Sequence, residues 1–374
     1  MSILNDPEAF ANVPTPSGSQ QALYLDSSSG LWSSKTAAGA STAVGGGWAG
    51  RGGFVNQFRN GAFDIAQRGV SGSVSAAANV YTMDGWKIGA TGASAAWAQE
   101  YNANLTGNSL RLSAASGLTA VQLGQRIEST MSTRLLAQGK TPQAVTVQWT
   151  IYNNSGAAIT PQVATSYPTV QDNWASLTGD LATTNLQTIP NGSVGTVAYT
   201  FVPSANCALG YAVSLLLGAA LNGSSGYVDI GAADIRATPG AATGLCANPP
   251  SPELRPASVE LELCQRYLPA FTDDGSGITP FGQSVVTVAN SSLLAFFPFQ
   301  TATRVKPTGI TATAASSFTT SAPVSQTPTA VAYNNASTTI GTVNCTITTG
   351  TAGQACLFRA NTAGAQILFT GCEL

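Results

Sequence analysis

Between Phe54 and about Ala237 short apolar runs, alternating or β-branched and aromatic, are separated by clusters of Gly, Asn, Ser and Pro. That is the pattern of half-buried strands joined by turns. In residues 144–152, Val145, Val147, Trp149 and Ile151 take one face, and Thr146, Gln148 and Thr150 take the other. A strand with one side on a core requires this alternation, because successive side chains point to opposite faces. Residues 80–88, 109–113, 196–202, 211–217 and 227–235 read as further strands. Two stacked sheets of such strands predict a mainly β fold, a jelly-roll-like antiparallel β-sandwich.

Residues 237–256 are dense in Pro and Gly and read as a boundary or an irregular crossing. Residues 258–267 predict a short helix, with Ser258 as N-cap, acids early and Arg266 late, although the alternation of Val259, Leu261 and Leu263 with Glu260 and Glu262 leaves a strand open. Residues 293–299, 329–333, 342–348 and 366–369 return to the strand pattern and predict a smaller C-terminal β module. The first fifty residues, rich in Pro, Ser and Gly, carry one strand-like phrase at 22–26 and cannot bury enough apolar surface to fold alone. Leu23, Leu25, Leu31 and Trp32 within them suggest docking onto another subunit, with an ordinary flexible linker as the alternative. The expected division is an extended N-terminal attachment arm over 1–50, the sandwich over 51–240 and the C-terminal β domain over 241–374.

Composition then narrows the chemistry. Only 9 % of the 374 residues are charged, the net charge is -2, and no histidine occurs. Without histidine there is no His-dependent general base, no Ser-His-Asp triad and little for a transition metal to bind. No Lys or Arg run offers the electrostatic footprint of a nucleic-acid or anionic-membrane binder. No segment reaches the ~20 apolar residues of a membrane-spanning helix, and the first residues lack a basic start followed by an apolar run, so no secretory signal is read. Six widely spaced cysteines without a CxxC pair are expected as buried free thiols of a protein assembled in a reducing cytoplasm. Asp172, Asp180, Asp229, Asp234, Asp273 and Asp274 make no recognisable glycosidase pair, which needs two carboxylates ~5 to 10 Å apart across a cleft. The Asp273-Asp274-Gly275 phrase reads as a turn, and Asp229 and Asp234 frame a strand. Neither an enzyme nor any cofactor or metal is expected.

Several phrases carry a resemblance. Residues 55–69, VNQFRNGAFDIAQRG, are followed by YTMDGW at 81–86, QLGQRIE at 122–128, ELELCQRY at 260–267, RVKPT at 304–308 and FTGCEL at 369–374. In this order they resemble the tail-fibre, head-fibre and spike proteins of bacteriophages that carry a carbohydrate-binding-like β-sandwich. The resemblance covers roughly residues 54–374, and the arm lies outside it. It implies a virion protein, commonly homotrimeric, whose arm holds other virion proteins and whose sandwich meets a host-surface glycan during adsorption. A ligand-free decoration or adaptor protein, and a tailspike-like glycan depolymerase, are the alternatives.

A sugar is held by the flat face of an aromatic ring flanked by amide and carboxylate hydrogen bonds. Tyr167, Asp172, Asn173 and Trp174 offer these parts in one polar loop-like stretch, where Trp174 reads first as a ring that stabilises its own loop and second as a sugar platform. Trp86 and Trp149 fall on core-facing positions, while Trp97 stays undecided. Arg68 and Asp84 are expected to form an ion pair that clips the opening segment to the following strand.

Overall fold

The computed structural model describes residues 2–8, 13–15, 17, 21–26, 32–36, 41–43 and 54–374 other than 224, 288–290 and 322–324. The alternating runs form two seven-stranded antiparallel sheets packed face to face. The front sheet runs in the order Asn173–Gly179, Gln162–Val170, Tyr211–Gly218, Ala120–Ile127, Trp86–Thr91, Asn79–Tyr81, with Thr184–Asn185 also paired to Gln162–Val170. The back sheet runs Gly244–Leu245, Ser193–Phe201, Val145–Asn154, Tyr227–Ala237, Gly107–Ser113, Ala95–Asn102, Ser71–Val74. Sequence neighbours are split between the two sheets, as in a jelly roll. Gly244–Leu245 keeps its place beside Ser193–Phe201, so the sandwich reaches slightly past residue 240.

The space between the sheets is filled by Trp86, Trp149, Leu110, Leu112, Val145, Val147, Ile151 and Leu215, all fully buried. Trp97, undecided from pattern, is buried as well and covers Gly72. Phe58 enters from the opening segment, its ring 5.1 Å from Trp86 and 6.0 Å from Trp149, and Phe63 stacks on Trp86 at 5.1 Å. Such pairs add about 0.5–1.5 kcal/mol each beyond area burial. The segment that delivers them is irregular rather than a strand. Asn60 takes φ 52°, and its side chain donates to Ile65 O at 2.7 Å while accepting from Ile65 N at 2.9 Å. This internal staple replaces a ladder.

Two other expectations change. Residues 80–88 form a hairpin, Asn79–Tyr81 against Trp86–Thr91, because Asp84-Gly85 turns the chain with Gly85 at φ 81°. Thr146 and Gln148, placed on an outward face by alternation, are 2 % and 1 % exposed. Residues 238–253 cross that face: Gln148 Nε2 donates to Pro250 O at 2.6 Å, Gln187 Nε2 to Cys246 O at 3.0 Å, and Arg236 Nη2 to Ser251 O at 2.9 Å. The back sheet is therefore covered on both sides over its middle, and the front sheet keeps an open outer face.

Residues 257–265 settle as a helix, Ala257–Gln265, with Pro256 rather than Ser258 at the N-cap position. Beyond it lie a three-stranded sheet, Ala270–Thr272, Gln366–Thr370, Gly309–Ala312, and a six-stranded one, Phe318–Ser321, Ala355–Ala360, Pro280–Val286, Ser292–Pro298, Ile340–Thr346, Ala330–Ala336. Phe271, Phe281, Phe297, Phe318, Phe358 and Phe369 form their common core. In the arm, Ser2–Glu8, Gln21–Asp26, Trp32–Thr36 and Ser41–Ala43 make a four-stranded sheet of their own, parallel only between the first two strands. Lys35 Nζ donates to Val13 O at 2.7 Å there. Leu31 and the side chains of Leu23, Leu25 and Trp32 lie outside the described residues. All six cysteines are free thiols.

Candidate functional site

The phrases that carry the resemblance converge on the seam between the sandwich and the second module, and they do so for a backbone reason. Residues 56–60 are buried yet belong to no strand, so their N–H and C=O groups need partners from side chains. Asn56 N donates to Glu253 Oε2 at 2.7 Å, Arg59 N to Gln125 Oε1 at 2.7 Å, and Asn60 N to Glu260 Oε2 at 2.7 Å. In return Arg255 donates to Asn56 O and, at 3.0 Å, to Phe58 O, while Gln125 Nε2 reaches Arg59 O at 2.9 Å and Trp86 Nε1 reaches Asn60 O at 3.0 Å. Arg255 and Glu260 form a buried ion pair, and Arg266 pairs with Glu128 at 3.2 Å.

The expected clip between Arg68 and Asp84 is shared out differently. Arg68 pairs with Glu373 across the seam. Asp84, 1 % exposed, accepts from Gln67 N and Gln67 Nε2, both at 2.6 Å. Burial pushes the Asp84 carboxyl up to about 6, against the lowering effect of the Gln67 bonds. The two Gln67 donors satisfy both oxygens of this buried carboxyl, and Arg68 is left for the more exposed Glu373. Burial likewise raises Tyr81 to about 12 and Cys264 well above the usual thiol range. The crevice among Arg59, Tyr81, Asp84, Cys264 and Tyr267 is too narrow to admit water. This seam is structural.

The four glycan-contact residues lie on the hairpin Gln162–Val170 and Asn173–Gly179 at the front-sheet edge, but not as one constellation. Tyr167 continues the inward set of Val163 and Thr165 and packs against the sandwich core. Asp172, at φ 52°, is committed to the helix Ser129–Ser132: its carboxylate accepts from Ser129 N at 2.8 Å and from Ser129 Oγ at 2.7 Å. Asn173 is exposed at the tip, where its Oδ1 accepts from Ala175 N at 3.2 Å. Trp174 is half-buried beside Pro168 and Gly210, with the Arg126 guanidinium 5.2 Å from its ring centre.

Trp174 thereby stands at one end of the outer face of the front sheet, which sequence reasoning did not single out. Alternation turns Ala164, Ser166, Ala212, Ser214, Gly124 and Arg126 outward, and register sets Ser214 beside Ala164 and Gly124, and Gly124 beside Lys87. The floor is of small side chains; Trp174, Arg126 and Lys87 rise around it. Lys87 is pushed below the usual lysine range, first by partial burial and then by the charge of Arg126. The outward positions of the front-sheet strands carry no carboxylate of their own, but the chain end brings acids to this end of the face: Arg126 Nη1 donates to Leu374 O at 2.8 Å, and Glu373 partly offsets the lowering of Lys87. The signal was available in residues 120–127, where Gln122, Gly124 and Arg126 alternate with Val121, Leu123, Gln125 and Ile127.

The other acids are spent on structure. Asp229 holds Arg111 through two bonds at 2.8 and 2.9 Å and accepts from Asn102; Asp234 pairs with Arg236 and accepts from Glu253 N. Asp273 accepts from Gly275 N, Gly277 N, Thr279 Oγ1 and Gly364 N, as the turn reading requires. Among the described residues no group of three or more His, Cys, Asp or Glu is placed to hold a metal.

No family model matches the chain, and no curated protein matches it. Solved structures to which it is similar include the enzymatically active domain of tailspike protein 4 of bacteriophage CBA120, at 13 % identity over 51 % of this chain and 22 % of that one, with a TM-score of 0.31. A CBM4 structure follows at 16 % identity, 48 % and 98 % coverage and a TM-score of 0.29. The CBM22-2 xylan-binding domain of Paenibacillus barcinonensis Xyn10C stands at 12 %, 50 % and 99 %, with a TM-score of 0.30. All three likenesses are weak, and the mainly β sandwich architecture rests on the sheets themselves.

Proposed function

We propose that this chain is a non-enzymatic virion fibre or spike protein that binds a host-surface glycan on the outer face of the front sheet. The observation that carries the reading is the half-buried Trp174 ring at the end of a floor of small side chains, with Arg126 and Lys87 alongside. A ring offers a sugar its apolar face, small residues let the sugar approach the sheet, and the cations donate to hydroxyls or acid groups. The back sheet offers no comparable surface over its middle, since residues 238–253 cover it. In this reading the arm holds other virion proteins, the copies form a homotrimer, and the protein is assembled in the host cytoplasm and works on the particle.

The second reading, a ligand-free decoration protein, is favoured by one observation: Asp172 and Tyr167 are spent on capping and packing. Adsorption of the purified chain to host cells and to a glycan array separates the two. Trp174→Ala is expected to weaken adsorption while leaving the thermal transition in place. Lost stability with adsorption intact would return Trp174 to a purely structural role, and release of reducing ends from host polysaccharide would make the protein a depolymerase.

A further inference from the structure

The strand Ser292–Pro298 reads SLLAFFP, apolar on both sides. In an antiparallel sheet with one wet face the outward positions are normally polar, and an unbroken apolar run marks a strand covered on both faces. Leu293, Ala295 and Phe297 point into the core and are fully buried. Leu294 and Phe296 point the other way, half-buried, and pack against neither core cluster.

Register gathers more around them. Phe296 lies opposite Gln283 and Thr342, and Gln283 opposite Leu357. In the next row Leu294 lies opposite Val285 and Asn344, Val285 opposite Ala355, and Asn344 opposite Ala332. The outer face of the six-stranded sheet thus has an apolar centre of Leu294, Phe296, Val285 and Leu357 and a rim of neutral polar side chains. Protein interfaces share this anatomy: an apolar centre poor in charge inside a polar rim.

Charge identifies the occupant. Residues 275–372 contain no Asp or Glu, and their only cations are Arg304, Lys306 and Arg359. Arg304 donates to Cys372 O at 3.1 Å and to Glu373 O at 2.9 Å at the seam, and Arg359 sits at one corner of the face. A charged partner would find almost nothing here to pair with, whereas a copy of the same face meets no like charge across its centre. The bordering strand Ala330–Ala336, AVAYNNA, supports the same conclusion. It ends the sheet, yet carries no charge, Pro or Lys, the devices that keep exposed edges from pairing.

We propose that the outer face of the six-stranded sheet, centred on Leu294 and Phe296, is the surface through which copies of this chain associate. The proposal rests on the part of the proposed function in which copies associate and names the surface for it; it stands apart from the glycan site, since it concerns another module and another face. The test is sedimentation of the full chain across the micromolar range. The wild type is expected to associate. Leu294→Glu with Phe296→Glu is expected to weaken association by roughly a hundredfold or more, since like charges facing each other cost several kcal/mol at about 1.4 kcal/mol per tenfold. Asn344→Lys, on an exposed rim position that touches no core, is expected to weaken it less, with partial recovery at high salt. Circular dichroism checks that each variant is folded, and Asn344→Lys carries the test if the double variant is not. A wild type that stays monomeric, or association unchanged in the folded variants, overturns the proposal.

Discussion

Replacing Glu260 by alanine tests the account of the seam most directly. Glu260 is 2 % exposed; one carboxylate oxygen meets Arg255 and the other accepts from Asn60 N at 2.7 Å. Alanine leaves Arg255, itself 5 % exposed, with the more distant carboxylate of Glu253 at 4.0 Å in place of its contact pair, a loss of up to about 3–5 kcal/mol, and also strands one buried N–H, worth about 1–3 kcal/mol alone. The two losses share a network and do not simply add, so about 4 kcal/mol is expected. With a urea dependence of about 2 kcal/mol per molar, the unfolding midpoint should fall by about 2 M. Tryptophan fluorescence follows it, because Trp86 and Trp149 sit in the core that Phe58 plugs. Glu262→Ala, two residues along the same helix and exposed, should change stability by less than about 0.5 kcal/mol. If the two variants unfold alike, the buried pair does not hold the modules together and the account of residues 56–60 fails.

Asp84 makes the seam sensitive to pH. Its folded-state value is raised from 3.8 to about 6, so the folded chain binds a proton that the unfolded chain has released between those values. Stability from this group is therefore greatest below about pH 4, falls as pH rises to about 6, and is level above; the change is at most about 3 kcal/mol. Asp84→Asn should flatten that part of a thermal-stability profile between pH 4 and 6, and an unaltered slope would show that other groups set it. Gly341→Ala should lower the melting temperature by several degrees in calorimetry, because the added Cβ would lie 2.2 Å from Phe369 Cε1 in the second core; an unchanged transition would mean the ring has room to move.

Local pattern made most of the strands legible. The runs at 144–152, 211–217 and 227–235 each became a strand, because alternation records which face a residue shows to the core. What escaped depended on distant chain. Thr146 and Gln148 are covered by a segment a hundred residues on, so their burial left no local trace. The Arg68 partner is Glu373, 305 residues away, and nearness in sequence pointed instead to Asp84. Asp172 and Trp174 are two residues apart with opposite fates, one consumed by a helix start and one left at the edge of an open face. Composition could supply the ingredients of a sugar site there, but only register shows which of them share a side.

The position of the seam also decides where a pull on the chain ahead of Phe54 would be felt. The arm joins at Phe54, directly ahead of Asn56, Arg59 and Asn60, whose backbone is held by Glu253, Gln125 and Glu260. A tug on the arm arrives there before it reaches any strand of the two larger sheets. Anchors drawn from a crossing loop, a strand and a helix would all have to be broken before such a pull reached the sheets downstream.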